Sequence, residues 1–248
     1  MANILATKLG DAALSPVHLL KLFCDVHDAD PRLGAAMRAD LQAVRERDPA
    51  TESFVQVVLF FKGFQAVQAH RIGHALWTAG RRPLARALQN RVSQTLGVDI
   101  HPAARLGRGL MVDHATGVVV GETAVVGDEV SLLHNVTLGG SGTGRGPRHP
   151  RIGNGVLLGA GVCVLGPVTV GDGAKVGAGS VVVSSVPENA VAVGVPARVL
   201  PRPGAGGGGG PGGAGAGGAG GGGGAGGGGS GAGEMDQTGD LYVPDFVI

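Results

Sequence analysis

Asp113 and His114 are adjacent, and Asp99 lies fifteen residues before the histidine. A neutral imidazole is suited to taking a proton near neutral pH. A carboxylate on its other ring nitrogen fixes the tautomer and stabilises the imidazolium that forms. Further on, Arg148 and His149 close a glycine-rich stretch, and a guanidinium is the natural grip for a carboxylate. The turn Leu138-Gly139-Gly140 offers backbone N–H groups of the kind a developing oxyanion requires. The set suits acyl transfer to a hydroxyl, which is a poor nucleophile until a base removes its proton. An Asp-His pair on its own is more often a solvated surface pair, so the weight rests on the elements that position these residues.

From Ile100 to Val182 an aliphatic or small residue recurs at every sixth position: Ile100, Leu106, Val112, Val118, Ala124, Val130 and Val136, then Ile152, Leu158, Val164, Val170, Val176 and Val182. A six-residue period is the mark of a parallel β-helix, in which each hexad is a short strand and a tight corner. The beat side chain is expected to point inward. The position four past it should be small and inward too, as at Ala104, Thr116, Val156, Val162, Val168, Ala174 and Ser180. Three departures stand out. His114 lies two past Val112, off the core stack. Glu122 occupies a slot expected to be small and apolar. The gap from Val136 to Ile152 is one hexad plus ten residues, an arm that ends in Arg148-His149-Pro150. Three hexads make a coil of eighteen residues, so Asp99 is expected near the corner of His114, one coil earlier. Irregular positions in a regular scaffold are where function is expected.

Residues 1–97 lack the beat and read as an α-helical domain. Ser15-Pro16 and Asp30-Pro31 each pair an N-cap with proline at the first helical position, and Pro49 ends the second helix at Asp48. Thr51 is expected to cap a longer helical region that Gly63 divides and Gly80 stops, with a last helix over 82–96. His70 and His74, one helical turn apart, form a conceivable two-ligand metal face. No third ligand lies nearby, so a packed helix face is the reading and no metal is expected. The β-helix occupies 98–203, with a loop insertion at 139–150. Residues 204–233 are almost entirely glycine and alanine, which cannot bury enough surface to offset chain entropy. They read as a disordered linker with a reach of roughly 30 Å. Residues 234–248 differ in composition and end on Asp-Phe-Val-Ile, which suits a partner-binding tail whose Ile248 side chain and carboxylate dock in a groove.

The chain has 248 residues, a formal net charge of +1 and only 3% aromatics. No basic patch or acidic run favours nucleic acid or a membrane surface, and no apolar run suits a membrane span. Cys24 and Cys163 fit a reducing compartment without a disulfide framework.

The chain resembles the serine O-acetyltransferase family, in its plant and algal branch. The matching segments are LQAVRERDPA (41–50), KGFQAVQAHRIGHALW (62–77), VDIHPAARLGRGLMVDHATGVVVGETAVVGDEVSLLHNVTLGG (98–140), RHPRIG (148–153), LGAG (158–161), GAKVGAGSVV (173–182), GVPAR (194–198) and MDQT (235–238). The resemblance implies an α+β chain whose β-helix is left-handed, assembled as a homotrimer or a dimer of trimers. Acetyl-CoA would be the co-substrate, with no permanently bound cofactor, and L-serine the acceptor by direct transfer. It implies His114 as general base, Asp99 as its partner and Glu122 as a further catalytic residue. Asp48 and Asp113 would hold the serine ammonium, and Arg148 and His149 its carboxylate. Gly140, Ala160, Lys175 and Ala178 would lie near coenzyme A. Ile248 would bind O-acetylserine (thiol) lyase in the cysteine synthase complex. The family's helical domain is longer, which implies a truncated start here. The expected location is therefore cytoplasmic, or plastid or mitochondrial if a transit peptide is missing.

Three other readings are weaker. Asp48 and Arg148-His149 suit an amino acid rather than a sugar or antibiotic hydroxyl. The closely spaced histidines of a β-helical zinc carbonic anhydrase are missing. Intact Asp99, Asp113 and His114 speak against a scaffold without catalysis.

Overall fold

The computed structural model describes residues 1–142 and 146–201; the linker and tail expectations, Ile248 among them, lie outside the described residues. Six helices come first: α1 (Ala2–Leu9), α2 (Pro16–Ala29), α3 (Pro31–Arg47), α4 (Phe54–Phe60), α5 (Lys62–Thr78) and α6 (Arg82–Leu96). The proline starts hold for α2 and α3, and the Asp30 carboxylate accepts the Arg32 N–H. Thr51 is not a cap. It is buried, and Ser53 caps α4 by accepting from the Gln56 N–H. Nor does Gly63 divide the helices, because the break falls at Phe61, between α4 and α5. Gly63 is inside α5, pressed on the coil, where a Cβ would run into the Val112 carbonyl.

The chain then winds into a parallel β-helix with three sheet faces. The first face stacks Val98–Ile100, Val118–Val120, Thr137–Gly139, Cys163–Leu165 and Val181–Val182; the second runs from Arg105–Leu106 to Thr169–Val170; the third runs from Met111–Val112 to Val191–Gly194, where Ala197–Val199 closes it antiparallel. The register corrects the beat. Ile100 stacks on Val120, not Val118, then on Leu138 and Val164. Leu106 stacks on Val126, and Val112 on Leu132. Val118, Ala124, Val130 and Val136 are buried as well, but they fill the second inward position, two before the beat. Thr116 is exposed rather than inward. Glu122 follows an inward Val120 and stands at a corner, so no core slot is violated.

The stacking also resizes two turns. Ile100 to Val120 is two residues longer than Val120 to Leu138, and Leu138 to Val164 is eight longer again. The arm is thus an insertion of eight residues, not ten. The two extra residues of the earlier turn fall between Val112 and Val118, at Asp113-His114.

Helices and coil share one continuous core running from Leu5 and Phe23 through Ile72 and Leu88 to Val176 and Ala192. A buried polar clamp fastens them. Asp40 of α3 accepts from Gln68 Nε2 at 2.8 Å and from Arg71 Nε and Nη2 at 3.0 and 2.8 Å on α5, and from the Leu110 N–H at 2.9 Å on the coil. Arg71 also donates to the Gly107 carbonyl at 2.7 Å. No helix among the described residues is long and apolar enough to cross a membrane.

Candidate active site

The widened corner carries His114. Its backbone and that of Ala115 are left-handed, with φ of 53° and 58°, a conformation costing about 1–3 kcal/mol each for residues with a Cβ. Packing sustains it. Ala115 is fully buried next to Gly63, where even a Cβ would come within 3.1 Å of the Ala115 methyl. With Ala115 held inward, the His114 side chain stands outward, 57% exposed, and its Nε2 lies 3.6 Å from Asp113 Oδ2. His134 stacks edge-on to it with ring centroids 5.9 Å apart. Asp48 comes to this group from the C-terminus of α3. Its neighbour Arg47 anchors the helix end by donating to the Gly109 and Glu129 carbonyls, at 3.1 Å each, and to Ser131 Oγ. Arg47 also pairs with the Glu129 carboxylate. The Asp48 carboxylate accepts the Ala50 N–H at 2.8 Å. Burial raises the pKa of Asp113; the His114 charge opposes this, and the nearby Asp48 charge adds to it.

A second group gathers around the base of the arm. Arg148 Nη2 lies 3.3 Å from Glu122 Oε2. Thr123 Oγ1 accepts from the Arg148 and His149 N–H groups at 3.1 and 3.2 Å. Its own proton therefore goes to His149 Nδ1, 2.8 Å away, which also receives the Thr123 N–H. With Nδ1 accepting twice, the ring proton resides on Nε2. That Nε2 lies against Gly121 and Gly140: a Cβ on Gly140 would approach it to 3.0 Å, and one on Gly121 would collide with the ring. Burial lowers the pKa of His149; Arg148 adds to this and Glu122 opposes it. His101 joins the group, with its pKa lowered by burial and influenced by Glu122, Arg86, Asp99 and His149. Asp99 Oδ1 accepts from Gln89 Nε2 at 2.6 Å.

The site residues thus fall into two sets: Asp48, Asp113, His114 and His134 at one corner, and Glu122, Arg148 and His149 at the base of the arm; Asp99 stands level with Val119 on the first face, and His101 feels its charge together with those of Glu122 and His149. One offers carboxylates for a cation and an imidazole for a proton; the other offers a guanidinium and an imidazole N–H for an anion. Ala160 and Ala178 sit at equivalent corners of successive coils, where Gly179 N–H donates to the Ala160 carbonyl at 2.8 Å. Lys175 is exposed on the third face. The helix histidines are accounted for by packing: His74 Nδ1 meets the Pro102 carbonyl at 2.8 Å, and His70 is buried, its pKa pushed down to about 3 by that burial.

Thr123, His134 and Gln89 escaped the sequence reading. His134 was within reach: it follows Leu132 by two, as His114 follows Val112, and those two beats are stacked partners. Thr123 and Gln89 act through contacts made only after folding, and no spacing signals them.

A parallel coil of this kind is built of hexapeptide repeats, and residues 149–184 match the bacterial transferase hexapeptide (six repeats). Residues 1–69 match the N-terminal part of serine acetyltransferase. The chain is 52% identical over 205 residues to serine acetyltransferase of Salmonella typhimurium, covering 83% of this chain and 75% of that one. It is 55% identical over 200 residues to the mitochondrial serine acetyltransferase 3 of Arabidopsis thaliana, covering 81% and 51%. Soybean serine acetyltransferase complexed with serine superposes with a TM-score of 0.79 at 55% identity, covering 80% of this chain and 82% of that chain. The chain belongs to the serine acetyltransferase family, and its activity is serine O-acetylation.

Proposed function

We propose that the chain moves acetyl from acetyl-CoA directly to the L-serine hydroxyl, with His114 as general base and Asp99 as the carboxylate behind it. Asp48 and Asp113 hold the serine ammonium; Arg148 and the Nε2–H of His149 hold its carboxylate. Glu122 assists by holding Arg148 in place. Acetyl-CoA lies along the outer corners near Gly140, Ala160, Lys175 and Ala178. The observation that carries this reading is the complementarity of the two residue sets to the two charged ends of one amino acid. A half-buried carboxylate whose pKa is raised by burial gains a counter-cation when an ammonium arrives.

The two sets meet between neighbouring chains of a homotrimer, itself single or paired as a dimer of trimers. The test is complementation. Asp113→Asn chains and Arg148→Ala chains, each impaired as homotrimers when serine is held well below their raised KM, are unfolded together and reassembled. A site shared between chains regains parental activity at part of the sites in the mixed trimers, whereas sites built within one chain stay impaired in every mixture.

Asp113 also sets a pH dependence. Serine affinity is expected to weaken as pH falls through the raised Asp113 pKa, because the protonated acid no longer balances the ammonium. In Asp113→Asn that limb disappears and the KM for serine rises by about tenfold or more, the scale of a lost charged hydrogen bond. For stability the sign is opposite. A carboxyl whose pKa is raised in the folded state stabilises while protonated, and that contribution is lost as pH rises through the raised value. At pH 7 the asparagine variant should melt no lower than the parent. A normal KM, or a marked fall in Tm, would count against the assignment.

The tail supplies a partner, O-acetylserine (thiol) lyase, bound through the side chain and carboxylate of Ile248. Deleting Ile248 should leave acetyl transfer intact and abolish capture of the lyase; retained capture would refute tail docking. Both cysteines are free, Cys24 exposed and Cys163 half-buried, which suits a reducing cytoplasmic or organellar setting.

A further inference from the structure

Helix α6 reaches Asp99 through Gln89. Gln89 stands on the face of α6 turned to the first coil, and its amide is 2.6 Å from Asp99 Oδ1. A carboxylate accepts only, so the atom facing it is the amide N–H. The same glutamine borders a small cavity between α5, α6 and the first coil, lined also by His70, Gly73, Ile100 and Pro102. His70 is 7% exposed, and its Nδ1 has no partner among the described residues. The rest of that lining is apolar, so Gln89 and His70 are the polar side chains at its edge.

Building on the reading of Asp99 as the carboxylate behind the base, we propose that Gln89 is a positioning residue for Asp99. Its N–H engages Oδ1 and fixes the rotation of the carboxylate, leaving Oδ2 for the imidazole. A carboxylate in a short strand has a soft last torsion, and a single strong hydrogen bond is enough to choose one orientation. The helical domain then contributes to the chemical step as well as to packing on the coil. Removing the donor lets the carboxylate turn, so the base is less often correctly oriented. Substrate contacts are untouched, so the loss falls on kcat rather than KM.

The test is a double-substitution cycle in the assembled enzyme. Gln89→Met, which keeps length and volume but has no donor, is expected to lower kcat about tenfold, with KM for serine and acetyl-CoA within about twofold. Gln89→Leu, a second donor-free variant, should behave alike. Gln89→Glu, which sets a charge beside Asp99, should lie below both. In an Asp99→Asn background, Gln89→Met should cost less than about a further twofold, since its action passes through the carboxylate. A full tenfold loss in that background would mean a packing role and overturn the proposal, as would a Gln89→Met enzyme with parental kcat beside an impaired Asp99→Asn. If Asp99→Asn itself turns over normally, the reading of Asp99 fails, and the proposal built on it falls as well; that outcome is recognised from the single variant alone.

Discussion

Replacing His114 by alanine is expected to lower kcat for serine acetylation by about two orders of magnitude or more, the usual weight of general-base catalysis. The serine hydroxyl must lose its proton as it attacks the thioester, and His114 is the exposed imidazole at the strained corner. Because the side chain lies outside the core of its own chain, its removal should leave the fold of the chain nearly unchanged. KM for serine should shift little, since the proposed contacts to the amino acid's charged ends come from other residues. The measurement is steady-state kinetics by thiol release, paired with thermal melting. Near-parental turnover in a folded His114→Ala enzyme would remove His114 from the role of base.

The second large effect concerns stability. Asp40→Ala should destabilise the fold by about 3–5 kcal/mol, the scale for breaking a buried ion pair by removing one partner. Asp40 is fully buried and Arg71 is 8% exposed. Without the carboxylate, the guanidinium stays in the interior with only the Gly107 carbonyl, and Gln68 and the Leu110 N–H lose their acceptor. In a chain of this size that is a fall in Tm of about 10 °C or more, measured at matched protein concentration because assembly also stabilises. Replacing Asp40 and Arg71 together by apolar residues of similar volume should cost less, since no charge is left behind. A single Asp40→Ala variant melting within a degree or two of the parent would show that the clamp is dispensable.

These two residues differ in how far the sequence reveals them. Asp113-His114 is conspicuous because adjacent acid and imidazole interrupt an aliphatic rhythm, and the rhythm is legible because every coil repeats the same chemistry. Asp40 gives no such signal. It lies in a polar stretch of α3, and only the approach of α5 and the coil buries it. The register error has the same origin. Val118 and Val120 both satisfy an inward slot, since the beat and the position two before it are each buried in a strand of period two. Counting by six from Val112 therefore lands on a plausible valine, and Glu122 looks misplaced when it is an ordinary corner residue. Similarly, Gly63 reads as a helix break, whereas its purpose is the close approach of α5 to the coil.

The sequence by itself determined what depends on local spacing and side-chain type. That includes the helices started at Pro16 and Pro31, the hexad coil, the acid-base corner, and the arm bearing Arg148 and His149. Tertiary structure decided what depends on which backbones meet. It placed the two extra residues at Asp113-His114, because α5 buries Ala115 there and turns His114 outward. It set the proton of His149 on Nε2, because folding brings Thr123 beneath the arm. It set Gln89 against Asp99, because α6 packs on the first coil. Each of these is a contact between segments far apart in the chain. Their closeness follows from the packing of surfaces as a whole, which no local pattern records.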